Sequence, residues 1–181
     1  CQRFLNGSAI GYYGDTGTAY LDERDPVGRG FLAEVVSDWE AAVRHSPVPS
    51  AILRTGRVLA REGSYLGPQW MLFRAGLGGR IGNGRQFLSW ISLTDHVRAM
   101  EFLLGSDLTG PVNLVGPAPV TNAAFTRAFG RYLGRPTVLP MPLPAVRMLF
   151  GREFVREALL SGQRVLPARL TEAGFTFQHD T

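Results

Sequence analysis

Short apolar runs alternate along this chain with segments whose apolar residues recur at helical spacing, and no other feature narrows the fold as far. Residues 4–13, 51–59, 87–91 and 111–115 read as strands; residues 31–44, 66–77, 95–104 and 122–133 read as helices. A strand followed by a helix and a further strand can pair in parallel, because the helix supplies the crossover that parallel neighbours need. The expected fold class is therefore α/β, built on a parallel sheet.

Punctuation between the runs supports this reading. On the first helix Phe31, Val35, Asp38 or Trp39, and Ala42 fall near one stripe, Glu34, Ser37 and Glu40 lie on other faces, and Pro47 and Pro49 follow its end. Thr94 is placed to cap the helix 95–104, with Asp95 in its first turn and Gly105 closing it. Thr121 or Asn122 caps the next helix, which stops before Gly134 and Pro136. Residues 76–84 hold five glycines and read as a loop. From Leu139 the character changes to PMPLPAVRMLFG, then a helix near 153–160 and a basic stretch, so a small helical appendage over 139–181 is expected to follow a main unit over 1–138.

Composition excludes several classes. At 45% hydrophobic and 19% charged residues the chain can bury a core, and its apolar runs are too short for a membrane span. All 19 basic residues are Arg and Lys is absent, which removes Schiff-base chemistry, a Lys proton relay and a P-loop lysine. The arginines are spread along the chain, so no nucleic-acid footprint is expected. One cysteine allows neither an internal disulfide nor a multi-Cys metal site, and His45, His96 and His179 lack ligand spacing. No G-x-S-x-G nucleophile elbow occurs. A cytoplasmic location is expected, and a start at Cys1 suggests a fragment or a processed product.

Six segments occur in one order: SAIGYYGD from Ser8, FLAEVVSDWEAA from Phe31, LRTGRVL from Leu53, GLGGRIGNGRQFLSWISLTD from Gly76, GPVNLVGPAPVTNAAF from Gly110, and the terminal PARLTEAGFTF. Together they resemble the epimerase family proteins (NAD-dependent epimerase/dehydratase-like) of the extended short-chain dehydrogenase/reductase superfamily, including their C-terminal domain of unknown function. The resemblance implies the C-terminal part of a Rossmann-like, doubly wound parallel sheet without its Gly-rich phosphate turn. It also implies an NAD(P)-dependent epimerase or oxidoreductase, with NADP(H) ahead of NAD(H), acting on an unidentified small molecule. The alternatives are a non-catalytic nucleotide- or partner-binding module and a truncated fragment.

Carried onto this chain, the family pattern makes Ser8 the catalytic hydroxyl, with a strand-end hydrogen bond to nearby backbone as its competing role. Its Tyr and Lys would fall at Phe31 and Val35, or at Leu32 and Val36, and neither pair can move a proton. Tyr12, or Tyr13 beside it, is the substitute in reach. Arg54, Thr55, Gly56 and Arg57 form the expected cofactor wall, with a strand-end salt bridge as the competing role for Arg54. Arg85 and Gln86 are expected to contact a polar substrate; Trp90 is either an apolar wall of that site or core. Met141, Leu143, Phe150 and Phe154 would cover the cleft. A sheet without its first strands leaves an open edge, so a homodimer or association through that edge is expected.

Overall fold

The computed structural model describes residues 3–43, 45–61 and 65–180. A central sheet joins Phe4–Ala9 (β1), Ser50–Thr55 (β3) and Gly110–Leu114 (β7), all parallel, in the order β1-β3-β7. Smaller pairs surround it. Tyr20–Leu21 (β2) pairs with Arg164–Val165 (β9), Arg57–Leu59 (β4) with Trp90–Ser92 (β6), and Phe87–Leu88 (β5) with Val120–Thr121 (β8). The helices are Phe31–Val43 (α1), Gly67–Arg74 (α2), Leu93–Leu104 (α3), Asn122–Tyr132 (α4), Leu143–Phe150 (α5), Arg152–Phe154 (α6) and Ala168–Glu172 (α7). The parallel α/β architecture expected from the alternation is present.

Side chains alternate across the sheet and so sort into two faces. Ala51, Leu53, Val112 and Leu114 pack with Ala99 and Leu103 of α3. Ser8, Arg54 and Asn113 stand opposite one another in register on the other face, towards α1. Helices therefore cover both faces.

The structure rotates α1 away from the stripe read from the sequence. Ala33, Val36 and Glu40 are its buried residues, whereas Phe31 and Trp39 are exposed. Small side chains let the helix approach the sheet, and Glu40 finds a partner there. Glu40 takes two hydrogen bonds from Arg54, at 2.8 Å from both Nε and Nη2, and a third from Ser8 Oγ at 2.7 Å. Both charges are almost fully buried, with side-chain exposures of 3% and 2%. Arg54 Nη1 donates to Tyr13 Oη at 3.0 Å, and Tyr13 in turn donates to Asn113 Oδ1 at 2.8 Å. Burial pushes the Tyr13 hydroxyl up to about 12, so it stays protonated. Glu40 also secures the Arg54 guanidinium as a cation despite burial.

Helix ends differ from the expected ones by small, explicable amounts. Ser92 rather than Thr94 caps α3, its Oγ accepting from Asp95 N at 3.0 Å. Thr121 caps α4, and Asn122 Oδ1 instead accepts from Ile81 N in the Gly-rich loop. The run 51–59 divides at Gly56, where a Cβ would meet Ser89 O at 2.6 Å. The run 87–91 divides at Ser89, whose hydroxyl takes a hydrogen bond from Val165 N at 2.8 Å and donates to Gln163 O at 2.8 Å.

The tail is helical over α5, α6 and a π-turn at Val155–Leu160, and then returns into the body. Val165 joins the cluster of Ile10, Tyr12, Tyr13 and Val36, and Leu170 and Phe175 join the cluster under α3. Asp95 fastens the last segment, accepting from Gln178 N and His179 N at 2.9 Å each and from Arg98 at 2.8 Å. Met141 bridges to Ile81, while the side chains of Phe150 and Phe154 lie outside the described residues, as do Cys1 and Arg44.

Two stability experiments follow from this packing. Arg54→Met leaves the Glu40 carboxylate buried without its partner and should cost about 3–5 kcal/mol in urea unfolding. Glu40→Leu combined with Arg54→Met should recover most of that loss; a single variant within about 1 kcal/mol of the parent contradicts the pairing. Burial by itself would raise the Asp95 carboxyl, but its hydrogen bonds prevail and hold it below the ordinary carboxylate value. Its stabilisation is thus complete above that value and disappears as pH falls below about 4. Asp95→Asn should cost about 2 kcal/mol at neutral pH and show a shallower acid-side decline.

Candidate functional site

Open parallel sheets bind ligands beyond the C-terminal ends of their strands, where backbone groups and loop side chains converge. Two hollows bear on this. The larger, about 700 Å³, runs beside Ser50, Ile52 and Arg54 to Gly110, along the α1 face towards the strand starts. The smaller, about 270 Å³, lies past the end of β1, between the loop 11–30, the first turn of α1 and the tail. Position in the sheet selects the smaller one as the candidate site, because the larger opens at the wrong end of the strands.

The candidate cavity is lined by Gly11, Gly14, Asp15 and Arg29 of the loop, by Gly30, Leu32 and Ala33 at the start of α1, and by Arg156, Ser161 and Gln163 of the tail. Asp15 Oδ1 joins the two sides, accepting from Gly17 N at 3.2 Å and Gly162 N at 3.1 Å. Of the two residue pairs that the family pattern offers for its Tyr and Lys, Leu32 lines the cavity and Val36 packs beside Tyr12 and Tyr13. Both are alkyl, so this wall supplies shape and no proton.

Ser8, Tyr12 and Arg54 do come together, but inside the sheet–α1 interface. Ser8 donates to Glu40, and the Arg54 guanidinium lies 3.4 Å from the centre of the Tyr12 ring while both edges of its fork serve Glu40 and Tyr13. The guanidinium read as a phosphate or ribose contact is thus turned inward, in the strand-end salt bridge weighed against that role. Thr55 ends β3, its hydroxyl donating to Leu53 O at 3.3 Å. Gly56 has no room for a side chain, and Arg57 sits over the Tyr65 ring at 5.5 Å.

The expected substrate residues also lie elsewhere. Arg85 is exposed, its backbone N–H held by Asn83 Oδ1 at 2.9 Å. Gln86 is buried and donates to Ile81 O and Leu159 O, which tethers the Gly-rich loop to the tail. Trp90 donates to Ala118 O at 3.0 Å and lines an apolar groove with Leu59, Phe125 and Phe129. None of the three reaches the cavity beyond β1. Arg29, Ser161 and Gln163 do, and no local pattern marks them, since the tail meets the loop only after the whole body has folded.

Ser92, Asp95 and His179 form a cluster that superficially suggests a hydrolase. His179 Nδ1 faces both Ser92 Oγ, at 3.1 Å, and Asp95 Oδ2, at 3.3 Å. A triad needs the two contacts on different ring nitrogens, so this cluster is a helix cap and tail anchor. Among the described residues no group of His, Cys, Asp and Glu could hold a metal, and no helix is long and apolar enough to cross a membrane.

Comparison with known proteins agrees with this fold. Residues 141–181 match a family model described as a domain of unknown function, DUF1731. Epimerase family protein Mb2239 of Mycobacterium bovis is 52% identical over 181 residues, which cover 98% of this chain and 60% of that protein. The crystal structure of human epimerase family protein SDR39U1 (isoform 2) with NADPH superposes with a TM-score of 0.92 at 34% identity, covering 99% of this chain and 62% of that one. A nucleoside-diphosphate sugar epimerase from Corynebacterium glutamicum gives a TM-score of 0.76 at 30% identity, over 100% of this chain and 36% of that one. The chain thus spans 60% of the length of the mycobacterial relative. The chain is similar to the C-terminal part of the epimerase family proteins of the short-chain dehydrogenase/reductase superfamily.

Proposed function

We propose that this chain forms the substrate-side part of an NAD(P)-dependent epimerase- or oxidoreductase-like protein, with NADP(H) the preferred cofactor. The observation that carries the reading is the cavity past β1, at the sheet end where this fold class binds its ligands, in a chain similar to a human protein crystallised with NADPH. Thr55, at the end of β3, is the side chain of the expected cofactor wall that this reading retains. Leu32 and Val36 exchange no proton, so the chain's own contribution is to bind and orient. The same pair favours a second reading, a nucleotide- or partner-binding module without turnover.

Association and location belong to the same proposal. Within the described sheet β1 pairs on one side only, with β3, and Phe31 and Trp39 stand exposed on α1. An unpaired edge beside apolar side chains favours a homodimer or the addition of further strands. A cytoplasmic location completes the reading.

Titration with NADPH and NADH, followed by fluorescence and thermal unfolding, tests the cofactor assignment. Ligand bound to the folded state alone stabilises it by about 2.7 kcal/mol at a hundredfold excess over Kd, so the transition should rise with NADPH and less with NADH. Thr55→Val should weaken that response. No saturable response to either dinucleotide removes the cofactor reading for this chain and leaves the binding module.

A further inference from the structure

The lining of the cavity past β1 is chemically lopsided. Arg29 presents an exposed guanidinium that has no ion-pair partner among the described residues. Its backbone is pinned: Gly28 N donates to Tyr12 O at 2.9 Å, a Cβ at Gly28 would collide with Tyr13 O, and one at Gly14 would lie 2.7 Å from Arg29 O. These close approaches seat Arg29 directly ahead of α1, a 13-residue helix whose first turn forms the same wall. The helix dipole adds positive potential there. The other charged groups of the lining are engaged: Asp15 Oδ1 with the backbone of Gly17 and Gly162, Arg156 with Glu153 at 3.8 Å.

An independent observation comes from the tail. Gln163 lines the cavity yet is only 6% exposed. Its Nε2 reaches Ser161 Oγ at 3.4 Å, and its Oε1 has no partner among the described residues. An acceptor left open on a largely buried side chain at the wall of a cavity is available to a donor that enters it.

We infer that this cavity takes a small hydroxylated anion, its carboxylate or phosphate against Arg29 and the start of α1, its hydroxyl donating to Gln163 Oε1. At about 270 Å³ the cavity falls just below the roughly 300–1,000 Å³ of drug-sized sites, which sets the ligand at the size of a hydroxy acid or a short sugar phosphate. The inference rests on this cavity being the substrate side of the site. Both ends of the ligand are held by different parts of the chain, Arg29 by the loop and Gln163 by the tail.

The test titrates the protein, without nucleotide, with glycerate, glycerol 3-phosphate and glycerol, following the backbone amide resonances of Gly30, Ala33 and Gln163. At least one anion should give saturable shifts and glycerol none; which anion does so decides between carboxylate and phosphate. Arg29→Ala, at an exposed side chain, should weaken the anion by at least about tenfold, the scale of one charge-assisted hydrogen bond. The hydroxylated anion should bind more tightly than its deoxy counterpart, and Gln163→Met should erase that difference. The comparison of the two anions on the unaltered protein stands even where Gln163→Met fails to fold. Equal binding of glycerol, no effect of Arg29→Ala, no preference for the hydroxylated anion, or no saturable shift by either anion overturns the inference. Anion binding without a response to NADPH defeats the cofactor reading alone, and a response to NADPH without anion binding defeats this inference alone.

Discussion

The buried ion pair between Glu40 and Arg54 organises this molecule. Through Ser8, Tyr13 and Asn113 it ties a helix, three strands and the turn after β1 into one set of hydrogen bonds. A charged pair inside a sheet–helix interface contributes little net stability compared with a well-packed apolar substitute. What it does contribute is register. Ser8, Arg54 and Asn113 must lie in one row across three strands, and Glu40 must face them, or a charge is left alone. The start of α1 is thereby aimed past the end of β1, and the candidate cavity is the space left between that helix end, the loop and the tail.

Much of the architecture was legible because period and punctuation carry it. The alternation of strands and helices, the Gly105 and Gly134 stops and the Thr121 cap are local signals, and the structure follows them. The face of α1 was not legible in the same way. Phe31 and Trp39 outrank Ala33 and Val36 in apolar size, yet close packing on a sheet favours the small side chains. Only Arg54, 14 residues further along the chain, makes burial of Glu40 acceptable. Long-range partners of this kind leave no mark within a window of sequence.

The candidate site divides along the same line. Residues carried over from the family pattern fell on strand ends, and the structure shows several of them holding the scaffold: Ser8 and Arg54 on Glu40, Gln86 on Ile81 and Leu159, Trp90 on Ala118. Proximity to a binding site in sequence motifs does not separate the group that touches a ligand from the group that supports it. Arg29 and Gln163 escaped notice because one sits in a turn-rich loop and the other in a tail with no recognisable motif, and only folding brings them to one cavity.

The return of the tail into the body has a consequence for the order in which the protein can be made. Val165, Leu170 and Phe175 complete two apolar clusters whose other members lie on β3, β7 and α3, and on the turn after β1, β2, α1 and the end of β7. All of those elements leave the ribosome before the residues that seal them. Until the segment around 165–177 has been synthesised, the nascent sheet carries uncovered apolar surface on both faces, the state most prone to wrong association. The finished fold conceals this exposure, because the last segment to be made is also the one that covers it.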